Sequence, residues 1–203
     1  YMRERLDEIL PRDLKKIYSD VFSTLQRGKT LERFAYMNGH YLLSVDGTGF
    51  FSSEEVHCDN CCTKEHKDGR ITYYHQMLCA AIVNPNFKEV IAFAPEAILK
   101  QDGANKNDCE RNASKRLLTD FRREHPHLKM IVVEDGLASN APHIQLLKEL
   151  DMRFILGAKP GDHKFLFEWV DKSQANTYEI KDTDGTTHRF RYINNVPLNY
   201  DNF

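Results

Sequence analysis

The chain has 203 residues, 41% of them hydrophobic and including 12 Phe and 9 Tyr, which is enough to build the core of one large domain and excludes a disordered chain. Its 28 basic and 30 acidic residues leave a formal charge of −2, which excludes any global electrostatic case for nucleic acid or membrane as partner, so an anion-binding surface has to be local. No apolar run approaches the roughly 18 residues of a membrane span and no signal-peptide pattern opens the chain, so a soluble, cytoplasmic protein with no membrane partner is expected. Tyr1 in place of Met, and the ending LNYDNF, suggest a segment of a longer protein. Five Cys, an odd number with three clustered as Cys58, Cys61 and Cys62, do not read as a secreted disulfide framework; a reducing compartment is expected.

In chain order, residues 1–37 carry Leu6, Ile9, Leu10, Leu14, Ile17, Phe22 and Leu25 at helical spacing, interrupted at Pro11, and read as a lead-in of two or three short helices. Tyr41–Phe51 reads as a first strand. After a polar loop, Ile71–Val83 and Glu89–Ala94 read as two more, in an antiparallel meander turned at NPNF. Between Lys106 and Glu124, Cys109, Ala113, Leu117 and Phe121 recur every four residues with Leu118 beside them, one face of an amphipathic helix. Leu128–Glu134 is a short apolar strand ending in Asp135-Gly136. A helix over Ala141–Leu150 follows, with Pro142 in its first turn, and then a strand over Arg153–Ala158. Residues 165–203 alternate apolar and polar positions around the turn signal DTDG and read as β-rich. A strand–helix–strand unit makes its strands nearly parallel, so the fold class expected is α/β, a mixed sheet flanked by helices.

Functional groups in such sheets collect at the carboxyl ends of the parallel strands, and Asp46 and Asp135 both stand there. Two carboxylates brought together repel unless a cation lies between them, and Mg²⁺ or Mn²⁺ held by one or two carboxylates, waters and substrate phosphates fits that need. The competing reading makes each Asp-Gly a turn former and nothing more. Glu134 points to the opposite face from Asp135, as neighbours on a strand do, and is a poor further ligand. Glu96 and Glu110 could lie nearer the aspartates, but as an exposed loop acid and a helix-start acid they read as structural.

His57-Cys58-x-x-Cys61-Cys62-x-x-x-His66 has spacing that suits tetrahedral Zn²⁺, with Cys58, Cys61, Cys62 and His66 as the candidate ligands; free thiols in a loop are the alternative. His75, Cys79 and Cys109 lie on apolar faces and read as packed core residues. Lys106, Lys115, Arg116, Arg122 and Arg123 make the 106–124 helix partly basic, and Lys159 and Lys164 flank the fifth strand. Of these, Lys159, Lys164 and Lys106 are the candidates for holding phosphates; a solvated surface is the plainer reading for each residue taken singly except Lys159, which closes a strand on the same edge as Asp46 and Asp135.

The ordered segments YLLSVDGTGFFSS, CDNCCTKEHKDGRITYYHQML, APEAILKQDGANKNDCERNASKRLL, MIVVEDGLASNAPHIQLLKEL and FILGAKPGDHKFLFEWV resemble the catalytic core of bacterial insertion-sequence transposases of the DDE class, across residues 25–200. The resemblance implies a ribonuclease-H-like fold in which Asp46 and Asp135 are catalytic and bind metal. It implies DNA as substrate, cut at the element's ends and joined to a target by two-metal in-line displacement, with a dimer in the DNA complex. It also implies a third carboxylate, a Glu on a helix after a β-rich insertion, which is expected beyond Phe203. The organisation expected is thus a helical lead-in over 1–37, an incomplete catalytic core over 38–164 and the insertion over 165–203. Another ribonuclease-H-like nuclease, or an inactive or domesticated DNA-binding relative, is the alternative.

Overall fold

The computed structural model describes residues 11–99 and 110–198. At its centre β1 (Tyr41–Ser53) and β3 (Ile71–Val83) pair antiparallel, from Leu42 opposite Val83 to Ser53 opposite Tyr73. On the other edge of β1, β6 (Met130–Glu134) runs parallel, from Tyr41 opposite Met130 to Ser44 opposite Val133; β7 (Arg153–Leu156) then lies parallel to β6. The outer edge of β3 is shared by β2 (Cys62–Glu65), β4 (Ile91–Ala92) and β5 (Glu96–Ile98), which completes a seven-stranded mixed sheet. The chain is therefore α/β, with helices flanking parallel and antiparallel strands.

Strand alternation sorts the core. Leu43 and Val45 on β1 share a face with Leu78, Ala80 and Ile82 on β3 and with Met130 and Val132 on β6, and all are buried. Against them pack Ala113, Leu117, Leu118 and Phe121 of α2 (Glu110–Glu124) and Leu147 of α3 (Ala141–Glu149). The four-residue recurrence read in α2 is thus its buried stripe. At α3 the side chain of Asn140 caps the helix by accepting the His143 N–H at 3.2 Å.

Several expectations need correction. The described part of the lead-in is one helix, α1 (Pro11–Arg27), with Pro11 at its first position, where the missing N–H needs no partner; residues 1–10 lie outside the described residues. Phe22 of α1 is buried against Phe93 and His125, and Lys15 reaches Asp120 of α2 at 3.3 Å. The polar loop after β1 contains a strand, β2, and the strand expected over Glu89–Ala94 shrinks to Ile91–Ala92. The start of the β-rich segment is helical: KFLFEWVD forms α4 (Lys164–Asp171), because a short apolar run fits either period. Only then come β8 (Asn176–Lys181) and β9 (Thr187–Tyr192), a separate hairpin with every residue exposed. Among the described residues no helix is long and apolar enough to cross a membrane.

Candidate functional site

The parallel pairing of β1 with β6 stops at Ser44 and Val133. Two residues further on each chain stand Asp46 and Asp135, so the register carries both acids to the same end of adjacent strands on the same face. Both are exposed, and the apolar burial of β1 ends at Val45. The Asp46 carboxylate is therefore not a desolvated charge; what needs compensation is its proximity to other acids.

The turn reading separates the two aspartates. Asp135 does form a turn, its Oδ1 accepting the Leu137 N–H at 2.9 Å, and Gly136 follows it outside β6. Asp46-Gly47 is no turn: β1 continues through it to Ser53, with Asp46 opposite Cys79 and Gly47 opposite Leu78 on β3. Gly47 has another use. A Cβ built there would lie 2.4 Å from Oε1 of Glu110, so the missing side chain is the space into which the Glu110 carboxyl reaches from the first residue of α2.

Glu110, for which the sequence favours a structural helix-start role over one near the aspartates, lines their cleft. Its acid is held above the ordinary carboxylate range, first by burial and then by the negative charges of Asp135 and Asp46. Three carboxyl groups from β1, α2 and the end of β6 thus meet in one cleft, which Arg111 also lines. The available signal was Gly47 itself, a residue without a side chain in the middle of the strand expected over Tyr41–Phe51. Glu96 behaves as expected, paired with Arg116 Nε at 2.6 Å.

Glu134 also behaves as strand alternation requires. It turns to the helix face, where its carboxylate accepts from Ser114 Oγ at 3.1 Å and meets His143 Nε2 at 2.5 Å, with both side chains of the latter pair only 6% exposed. This buried bridge ties β6 to α2 and α3 and so fixes the elements that carry Asp135 and Glu110.

The basic candidates divide. Lys159 lies beside the acids, its Nζ 4.0 Å from Asp135 Oδ2 with both side chains more than half exposed. Lys164, first residue of α4, lines an open groove with Arg111, Gly136 and Leu137, so the groove begins where the acid cleft ends. Lys106 lies outside the described residues. Arg122 serves the fold: its guanidinium donates to the carbonyls of Leu150, Leu128 and Asp151 at 2.7, 2.9 and 3.1 Å. Arg123 pairs with Asp120 at 2.9 Å.

The cysteine cluster is rearranged relative to the reading from spacing. Cys62 is fully buried with its Sγ on the Ile98 carbonyl at 3.5 Å, and His66 Nε2 meets Thr72 Oγ1 at 2.7 Å across the β2–β3 turn. Neither faces Cys58 or Cys61. His75, expected in the core, is only half-buried and completes a three-donor cluster with Cys58 and Cys61 that could hold a metal ion. Cys79 stays a structural thiol: burial pushes its pKa up, and Asp46 opposite adds to the shift. Cys109 lies outside the described residues.

No protein-family model matches the chain, and no curated protein is significantly similar to it.

Proposed function

We propose that this chain is the catalytic core of a DDE-class DNA transposase, a metal-dependent enzyme that cleaves DNA strands at element ends and transfers them to a target. The observation that carries the reading is the convergence of Asp46 and Asp135 at the ends of adjacent parallel strands, with Glu110 facing them over Gly47. The sheet is compatible with a ribonuclease-H-like arrangement, with antiparallel β3 and parallel β6 on either side of β1 and helices over one face. The motif resemblance supplies the substrate.

The residues fit a hard divalent cation. All three donors are carboxylates, the oxygen class that Mg²⁺ and Mn²⁺ select, and of the two causes that raise the Glu110 pKa, burial first and the nearby Asp135 and Asp46 charges second, a cation would offset the second. Bound there, the metal supplies activation of the attacking oxygen and stabilisation of the leaving one. Asp46 and Asp135, both exposed, would hold the ion, whose charge would in turn offset that of a phosphate. Lys159 offers a cation beside Asp135, and Arg111 and Lys164 extend positive charge along the groove where a phosphate backbone would run.

Glu110 gives a second reading specific support. A third acid already stands within the described residues, so a ribonuclease-H-like nuclease would not need a carboxylate from beyond Phe203. Nicking of supercoiled DNA by the chain in Mn²⁺, with and without a pre-cleaved strand offered for joining, separates the two. Joining supports the transposase, hydrolysis alone supports the nuclease, and no metal-dependent cleavage of either kind contradicts the nuclease, whose three acids are all present.

A further inference from the structure

Cys58, Cys61 and His75 form a triangle of donors: the two Sγ atoms are 3.7 Å apart and each lies 3.3 Å from His75 Nε2. Around tetrahedral zinc, with Zn–S of about 2.3 Å and Zn–N of about 2.0–2.1 Å, two sulfurs stand roughly 3.8 Å apart and a sulfur and a nitrogen roughly 3.6 Å. The triangle is therefore close to one face of a zinc tetrahedron. The sulfurs are well beyond the roughly 2.05 Å of a disulfide.

Strand pairing builds this triangle. β2 opposes Cys62 to Tyr74, so the preceding residue, Cys61, falls opposite His75. A tight turn, with the Cys61 N–H donating to the Cys58 carbonyl at 3.1 Å, folds Cys58 back to join them. The Cys58 N–H in turn donates to Cys61 Sγ at 3.3 Å, the kind of outer hydrogen bond that stabilises a thiolate ligand. The imidazole is held from the other side, where an irregularity in β1 between Gly49 and Phe51 brings both Phe50 and Phe51 onto it, with ring centroids 5.7 and 5.6 Å away.

We propose that Cys58, Cys61 and His75 bind one Zn²⁺, with water in the fourth position beside the exposed Cys58, and that the ion pins the loop preceding β2 to the far end of the β1–β3 hairpin. The site takes a soft-ligand cation and stands apart from the oxygen donors of the acid cleft, so it is independent of the strand-transfer reading.

Cobalt titration of the metal-stripped, reduced chain tests it, because absorption from thiolate-to-cobalt charge transfer reports sulfur ligands and is blind to metal at the acids. The result expected is one Co²⁺ per chain with that band. Its affinity should fall in Cys58→Ser and His75→Ala by more than the roughly 10–100-fold that loss of an outer-shell partner costs. His66→Ala should leave it unchanged. His75→Cys should restore the band with a third thiolate, which separates loss of a ligand from loss of the fold. A missing band in the parent, or a band lost in His66→Ala and kept in His75→Ala, would overturn the proposal.

Discussion

The acid cleft and the thiol cluster belong to the same sheet, the first built from β1, the end of β6 and α2 and the second from β3 and the loop before β2, yet by different means. The acids meet because parallel strands distant in sequence end together, a consequence of topology that needs no detailed knowledge of loops. The thiols meet His75 because one short antiparallel strand has a particular register. A site of the first kind tolerates errors in element boundaries. A site of the second kind changes its ligand set when a single four-residue strand goes unrecognised, because a strand carries His66 to one end of the pairing and Cys61 to the other.

The largest effect should separate the acids from the rest of the cleft. Asp46→Asn or Asp135→Asn is expected to lower Mn²⁺-dependent DNA cleavage by on the order of 10²–10³-fold, the loss typical of one electrostatic group aimed at a transition state, with the melting temperature unchanged because both side chains are exposed. Gel-based cleavage kinetics and calorimetric melting check the pair of outcomes. A variant that cleaves normally would return that residue to a turn or surface role.

A second effect distinguishes the cations of the fold from those of the site. Arg122→Ala removes the donor to five backbone carbonyls and should destabilise the chain by about 1–3 kcal/mol in urea unfolding, while leaving DNA affinity at low salt nearly intact. Lys159→Ala should do the reverse, weakening DNA binding and reducing its salt dependence with little change in stability. Exchange of these two phenotypes would break the division drawn between them.

Smaller still is the effect at Gly47. A methyl group there meets the end of the flexible Glu110 side chain and not backbone, so Gly47→Ala should fold and shift the carboxyl. Mn²⁺ affinity is then expected to fall about tenfold, about 1.4 kcal/mol, as measured by calorimetry. Glu110 also sets a pH dependence. Its pKa lies above the unfolded value of 4.5, so it remains protonated in the folded chain when the unfolded chain has begun to ionise. The stability it contributes is present below that value and is lost as pH rises through the folded pKa. Metal affinity runs the other way, rising over that same interval as the carboxylate forms, and Glu110→Gln should flatten the rise.

How much of this was legible follows from the range of each signal. Val-Asp at 45–46 and Glu-Asp at 134–135 were readable because apolar runs end there and parallel strands end together. The stripe of Ala113, Leu117 and Phe121 was readable because helical period is local. Glu110 was not, since the seat for its carboxyl is the missing side chain of a glycine 63 positions earlier, and Asp-Gly-Thr-Gly is an equally good turn signal. His75 was misread because an imidazole in ITYYHQMLCAAIV looks like a core residue until the opposing strand is known. The helix over KFLFEWVD was misread because aromatic residues favour strands while eight residues are too few for period to decide.

The central claim is that Asp46 and Asp135 form one metal site, and calorimetric titration of Mn²⁺ into the chain tests it most directly. The account predicts binding by the parent that is lost in both Asp46→Asn and Asp135→Asn and weakened in Glu110→Gln. Unchanged binding in either aspartate variant would contradict it.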